Sequence, residues 1–484
     1  MENQVTVQKE DKREASMEAV LRRAAAEYET PAYVFDVDGF QERLREIREI
    51  VGEKIGLCYS IKANSWLTKA ASEVWDHLEV CSPGELEICR AVGVPAEKIL
   101  YSGVVKGLAD TREAIRIGAG TLTAESLGQL ALVEKAAAVE GKKVDVLLRL
   151  NAGSQFGMSR EDLLMAVRER EQYPHVNLVG IHFFAGTQQK KTARQEKDLA
   201  MLLEMMEEIQ DQFDFRMRRL EYGPGFCVPL FEGEDFTDTL APLKNLAPAL
   251  QRAAEQVELT IEMGRFAATE CGTYLTKIVD LKENAGTRYA LIDGGINHVN
   301  YYGQIMGMKV PVVTNLGKVE SRDPELTHSR TSDGENERED ENHHPNTTFI
   351  SEHRNSSDGA CRSENASSSG VIINEDRKDT AEEREEKQNT SITAEYCLCG
   401  SLCTTGDVIT RQLPLESPEV GDVIALHNIG AYSVTEGIYL FLSRTMPRIL
   451  LHSARDGLRE ARGPVEIWKL NCAAGRQEKG SVLQ

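Results

Sequence analysis

The chain has 484 residues, 41% of them hydrophobic, enough for a large buried core, so wholesale disorder is excluded. Lys and Arg number 56 against 77 Asp and Glu, and a formal charge of −21 argues against a general nucleic-acid binder. No run of about 18 apolar residues occurs, so no membrane-spanning helix is expected. The charged first 29 residues carry no apolar signal core, the pattern of a cytoplasmic protein.

Residues 1–29 read as a charged helical segment that joins a second, β-rich domain. From Thr30 to Gly272 short β-type runs alternate with amphipathic helical stretches. The runs begin near Gly56, His77, Lys98, Thr121, Val144, Leu178, Leu220 and Leu259. Helical candidates between them include Pro83–Val92, Leu127–Glu140 and Thr192–Gln212. Strand–helix alternation predicts a parallel sheet, and eight units over about 220 residues fit a (β/α)8 barrel better than an open doubly wound sheet. The fold class is therefore α/β, a TIM-like barrel over residues 30–272. Residues 273–317 and 395–484 are richer in Val, Ile, Leu and Tyr, are punctuated by Gly, Asp and Pro, and predict a mostly β C-terminal domain.

Residues 318–394 interrupt that domain. They carry 19 acidic and 10 basic side chains and almost no aromatics. Such a stretch buries too little apolar surface to offset its ordering entropy, and it reads as a disordered acidic insertion. The ten cysteines are scattered, several of them inside apolar runs, and are expected to be reduced. The cluster Cys397-x-Cys399-x3-Cys403 lacks the spacing of a zinc ribbon, so no metal site is expected.

In a barrel of this kind the chemistry sits at the C-terminal ends of the strands. The first strand ends in Tyr59-Ser-Ile-Lys62-Ala-Asn64. A lysine closing an apolar strand points into the mouth. Desolvation there would lower its pKa and suit Schiff-base chemistry, although a salt-bridged structural lysine fits the position equally well. The seventh strand ends in Gly223-Pro224-Gly225, whose backbone N–H groups can approach an anion closely. The eighth ends in Glu262-Met263-Gly264-Arg265, placing an acid across from Lys62 and a guanidinium beside a turn. A lysine, an acid and an anion cradle together describe a pyridoxal phosphate site.

The segments TPAYVFD, YSIKAN, EVCSPGELE, QFGM, GIHFFAGTQ, EMGR, GSLCTTGD and NIGAYS run in order from Thr30 to about Leu451. In them the chain resembles the alanine-racemase-like (fold type III) pyridoxal phosphate enzymes, in the branch of diaminopimelate and ornithine decarboxylases. The resemblance implies a pyridoxal 5'-phosphate cofactor bound covalently by Lys62, with Glu262 on the pyridine nitrogen. It implies phosphate contacts from Arg265, the Gly223–Gly225 loop and Tyr432. Cys403 matches the cysteine that in this family reaches into the neighbouring subunit's site, which implies a homodimer with shared active sites. Cys403 or Lys62 then returns a proton to Cα after carbon dioxide leaves. The racemases continue their lysine motif with Ala-Tyr-Gly-His, whereas here Ser65-Trp66 follows, which favours decarboxylation. A non-catalytic relative would show decay at the lysine, acid or cysteine, and all three are present.

Two departures bear on the substrate. The family's stacking histidine in His-x-Gly-Ser is replaced in Phe184-Ala-Gly186-Thr187, so Phe184 is expected to stack on the cofactor, Thr187 to touch it, and His182 to be a supporting residue. The acid that follows the cysteine in the diamino-acid enzymes is here Thr404, with Asp407 three residues on as the alternative reader of a distal ammonium. The main reading is a diaminopimelate decarboxylase-like enzyme acting on a small amino acid. The alternative is a side branch resembling the butirosin decarboxylase of carrier-bound glutamate, whose substrate lacks a free distal amine.

Overall fold

In the computed structural model, residues 16–301, 307–320 and 393–473 are described. After an initial strand, β1 (Ala32–Asp36), eight parallel strands close into a barrel: β2 (Gly56–Ser60), β3 (His77–Val80), β4 (Ile99–Tyr101), β5 (Thr121–Ala124), β6 (Val144–Arg149), β7 (Val176–Phe184), β8 (Arg219–Gly223) and β9 (Glu258–Met263). The register closes β2 on β9, with Cys58 opposite Glu262.

Local chemistry starts and stops the outer helices. Asp36 caps helix Val37–Val51 by accepting from Gly39 N, and the buried face Phe40, Leu44, Ile47 and Val51 repeats at helical spacing. Ser126 caps Leu127–Glu140, and Gly141 ends it in a left-handed conformation. Ser82 caps Pro83–Ala91, with proline in the first turn where its missing N–H costs nothing. Inside the barrel, Cys58, Leu100, Leu147 and Val179 form an apolar floor. Above them the inward positions turn polar, and that change of character marks the mouth.

The second domain is a mostly β structure: β10 (Gly272–Asn284), β11 (Thr287–Ile292), β12 (Val313–Lys318), β13 (Thr393–Cys399), β14 (Val408–Glu416), β15 (Asp422–Leu426), β16 (Arg448–Ser453) and β17 (Gly457–Arg462). The main path runs β14-β13-β11-β10-β1-β16-β17, and β15 pairs with both β10 and β12. Strand β1 differs from its expected place. It is antiparallel to β10 and parallel to β16, so it belongs to this sheet and not to the barrel. The helix over residues 16–27 lies on the same sheet, where Leu21 and Ala24 pack with Leu275, Val423 and Leu450.

The expected disorder of residues 318–394 falls outside the described residues except at its ends. There the expectation reached too far: Lys318 closes β12, and Thr393 and Ala394 open β13, each held by a ladder partner. Among the described residues no helix is long and apolar enough to cross a membrane, and no cluster of three or more metal-ligating side chains occurs.

Candidate active site

Lys62 follows directly on β2, in a short 3-10 turn, and about 39% of its side chain stays open to the mouth. Its amine pairs with Glu79 on β3 and lies 3.7 Å from Glu262 on β9. Both carboxylates are buried. Burial works to lower the lysine's pKa, but Glu79 and then Glu262 outweigh it and hold the amine well above its ordinary value. The lowered pKa expected from desolvation is therefore reversed, because two buried acids face the amine. Burial alone would raise the Glu79 pKa. The Lys62 charge and the hydrogen bonds from Lys62 and Ser102 carry it well below the usual carboxylate range.

Glu262 is fixed from two sides. Ser60 Oγ donates to Oε1 at 2.9 Å, and His182 Nε2 lies 2.9 Å from Oε2. His182 Nδ1 faces no hydrogen-bond partner among the described residues, so the ring proton belongs on Nε2, toward the acid. His182 thus stands behind the acid, in hydrogen-bond contact with it. Cys81 completes the cluster, its sulfur 3.2 Å from Glu79 and 3.7 Å from Lys62. Burial and the Glu79 charge push its thiol up. Glu221 on β8 lies below, with its carboxyl pKa raised to about 8 by burial and by Glu262.

The sheet domain supplies the opposite wall. Tyr432 takes φ +67, an uncommon conformation for a side-chain-bearing residue, and its N–H donates to the Ala63 carbonyl at 2.6 Å. Asn64 Nδ2 donates to the Gly430 carbonyl at 2.8 Å. The motif around Lys62 is therefore clamped to Gly430-Ala-Tyr432. The clamp requires glycine: a Cβ at Gly430 would lie 1.9 Å from the Ala268 carbonyl oxygen. Arg265, opening the turn after β9, places its guanidinium carbon 4.5 Å from the Tyr432 ring centroid.

A second close approach forms the loop after β8. Gly225 sits at φ +62, and a Cβ there would meet the Gly186 carbonyl oxygen at 1.7 Å. Gln189 N donates to the Gly225 carbonyl at 2.8 Å, tying this loop to Gly186 and the exposed Thr187. Phe184 pairs in register with Gly223, and a Cβ on Gly223 would touch its ring at 2.6 Å. Phe184 and His182 share the inward face of β7, while Phe183 stacks outward on Tyr222.

The structure thus brings Lys62, Glu262, Arg265, Tyr432 and the Gly223–Gly225 loop to one end of the barrel. Cys403 and Thr404 stand apart, exposed on the loop between β13 and β14. Asp407, the other candidate on this loop, is turned inward. It is 3% exposed, and its carboxylate accepts from Ile296 N at 2.9 Å and Leu402 N at 2.7 Å, so it shapes the loop from inside. The sequence reading missed Glu79 and Ser60. Both lie on inward positions of apolar strands, and an acid buried in such a strand was the available signal.

The pyridoxal binding domain of the pyridoxal-dependent decarboxylases matches residues 37–269, and the C-terminal sheet domain of the same enzymes matches residues 364–430. The L-glutamyl-[BtrI acyl-carrier protein] decarboxylase of Niallia circulans is 27% identical over 305 residues, covering 59% of this chain and 70% of that protein. Diaminopimelate decarboxylase of Bacillus subtilis is 28% identical over 301 residues, covering 56% and 69%. The crystal structure of diaminopimelate decarboxylase from M. jannaschii with L-lysine superposes with a TM-score of 0.70 at 20% identity, over 94% of both chains, and shows the shared fold. With both domains matched in order and the fold shared, the chain belongs to the pyridoxal-dependent decarboxylases.

Proposed function

We propose that Lys62 carries pyridoxal 5'-phosphate and that the enzyme removes the α-carboxylate of an amino acid lacking a free distal ammonium, supplied free or on a carrier protein. The observation that carries this reading is the placement of Lys62 at the mouth between two buried carboxylates, one of them braced by Ser60 and His182. The donor set fits the cofactor. One lysine reaches the opening, a fixed acid stands behind it, and the glycine loop after β8 packs so closely on Gly186 that Gly225 has no room for a Cβ, leaving bare backbone at the mouth.

When bound, the cofactor supplies an electron-withdrawing ring that takes up the electron pair left at Cα. Glu262 would hold the proton on the ring nitrogen, and Ser60 and His182 would keep that acid from turning away. Arg265, the Gly223–Gly225 backbone and Tyr432 would hold the phosphate. Phe184, pressed on Gly223, would offer an aromatic face to the ring but no proton, and Thr187 would close the same loop. Lys62 must shed its proton before its nitrogen can act as a nucleophile, and until then Glu79, its ion-pair partner, would hold the amine in place. Cys403 would act from a second copy of the chain in a homodimer, returning a proton to Cα.

The substrate part rests on the loop after β13. A threonine at 404 cannot neutralise an ammonium, and Asp407 is already engaged by two backbone N–H groups. On this exposed loop an ammonium without a counter-charge forgoes a pairing energy of at most roughly 1 kcal/mol, enough to bias the choice of substrate. The similarity to the carrier-bound glutamate enzyme supports the same reading. The second reading, turnover of meso-diaminopimelate, is favoured by the many relatives that bear that name.

The test is carbon dioxide release with mass detection of the amine. The purified protein is loaded with pyridoxal phosphate and offered diaminopimelate, lysine, ornithine, arginine, glutamate and carrier-bound glutamate. Turnover of glutamate or its carrier thioester alone is the expected result. Turnover of diaminopimelate would overturn the substrate assignment and leave the decarboxylase intact.

A further inference from the structure

Two cysteines outside the mouth form a pair that the reaction above does not use. Cys397 and Cys399 lie two apart on β13, with their sulfurs 3.6 Å from each other. In a regular strand, side chains two apart are separated by roughly 6.6 Å along the chain, too far for their sulfurs to meet without distortion. Here β13 carries irregularities against β14 on both sides of Leu398, and the bulged backbone swings the two sulfurs together. Cys397 also lines a cleft of about 530 Å³ with Glu283, Arg288, Glu395, Arg411 and Gln412, wide enough for a small oxidant.

We propose that Cys397 and Cys399 are a reversible oxidation site that closes to an intrachain disulfide under hydrogen peroxide. Cys397, which lines the cleft, attacks the peroxide: the S–O bond forms as the O–O bond breaks, and the thiol proton goes to the departing hydroxide, which leaves as water. Burial and the Cys397 sulfur push the Cys399 thiol up to about 12, so it keeps its proton until the second step. In that step the Cys399 sulfur attacks Cys397, the S–O bond breaks, and the Cys399 proton goes to the departing hydroxide. In sum, two thiols and one peroxide give one disulfide and two waters. The sulfurs need to close from 3.6 Å to roughly 2.05 Å, a movement of about 1.5 Å within one irregular strand. The cross-link would lie at the root of the loop that carries Cys403.

The test treats the holoenzyme with hydrogen peroxide, blocks the remaining thiols with N-ethylmaleimide and maps the peptides by mass. Expected is a peptide holding Cys397 and Cys399 that has lost two hydrogens, takes no label, and is restored by dithiothreitol. In Cys399→Ser, dimedone should trap a sulfenic acid on Cys397, and Cys397→Ser should give neither product. Cys399→Ala replaces Cys399→Ser if the hydroxyl disturbs folding. The exposed Cys403 and Cys472 report that oxidant reached the protein. If they are oxidised while Cys397 and Cys399 both take label, or if Cys403 replaces either partner in the disulfide, the proposal is overturned. These readouts do not depend on turnover, so they stand apart from the substrate assignment.

Discussion

Two buried polar clusters in this molecule look alike by burial and differ in charge. At the barrel mouth, Lys62, Glu79 and Glu262 keep their ionisable groups face to face, with His182 and Ser60 behind. In the sheet domain, Tyr33 OH donates to the His298 carbonyl at 2.6 Å and lies 3.0 Å from Ser433 Oγ. Tyr274 OH lies 2.9 Å from His298 Nδ1, and His298 Nε2 donates to the Thr445 carbonyl at 2.9 Å. That second cluster is neutral: burial lowers the His298 pKa to about 4. Burial alone therefore does not mark a reactive site. What marks it is buried charge beside an opening, which a fold bears only where the charge has work to do.

The comparison predicts effects that divide by cluster. Lys62→Ala should reduce turnover to background and abolish retention of the cofactor, read by bound-chromophore absorbance and carbon dioxide release. Retained turnover would break the assignment of that lysine. Glu262→Gln keeps the shape and removes the charge. It should lower kcat by about 10²–10³ with the fold intact, since preorganised electrostatics of this kind carry about that much. Tyr33→Phe tests the neutral cluster. It should cost about 1–3 kcal/mol in denaturant unfolding and leave kcat unchanged, because it strands partners without touching charge at the mouth.

A pH series sharpens the contrast further. Glu221 is raised to about 8 in the folded state from an ordinary 4.5, so the folded state holds a proton that the unfolded chain releases, and stability falls as pH rises from 4.5 to 8. His298 works in the other direction. It stays neutral down to about 4 while an ordinary histidine charges near 6.5, so stability falls as pH drops through that window. Glu221→Gln should therefore gain thermal stability over wild type between pH 6.5 and 8, with the gap closing near pH 5. A constant gap would show that Glu221 does not titrate as the structure indicates. The smallest effect is expected from Thr404→Glu, on the exposed loop. A new pair there is worth at most roughly 1 kcal/mol, seen as a modest rise in kcat/KM for a diamino acid.

Much of this was legible in the sequence for a local reason. Each barrel strand is a short apolar run bounded by turn residues, so all eight could be located, and residues at their C-terminal ends had to converge on one mouth. Lys62 facing Glu262 follows from that alone. What escaped depends on partners far along the chain. Residues Ala32–Asp36 look like any apolar strand, and only pairing with Arg448–His452 assigns them to the sheet. The charge state of Lys62 depends on Glu79, which no spacing rule links to it. Asp407 has the right chemistry to read a distal amine, and only the backbone N–H groups of Ile296 and Leu402 reveal its other employment.

The placement of β1 also bears on how the molecule is made. It is made before every barrel strand, yet its parallel neighbour, β16, begins more than 400 residues later. Until then an apolar segment with an open edge waits beside a barrel that can already close, since β2 to β9 need nothing beyond Met263. A strand left with one open edge, after β10 has paired with the other, is a template for wrong pairing with another nascent chain. Yield on expression should therefore respond to chaperone supply more than to the stability of the finished fold, and truncation before β16 should aggregate even with an intact barrel.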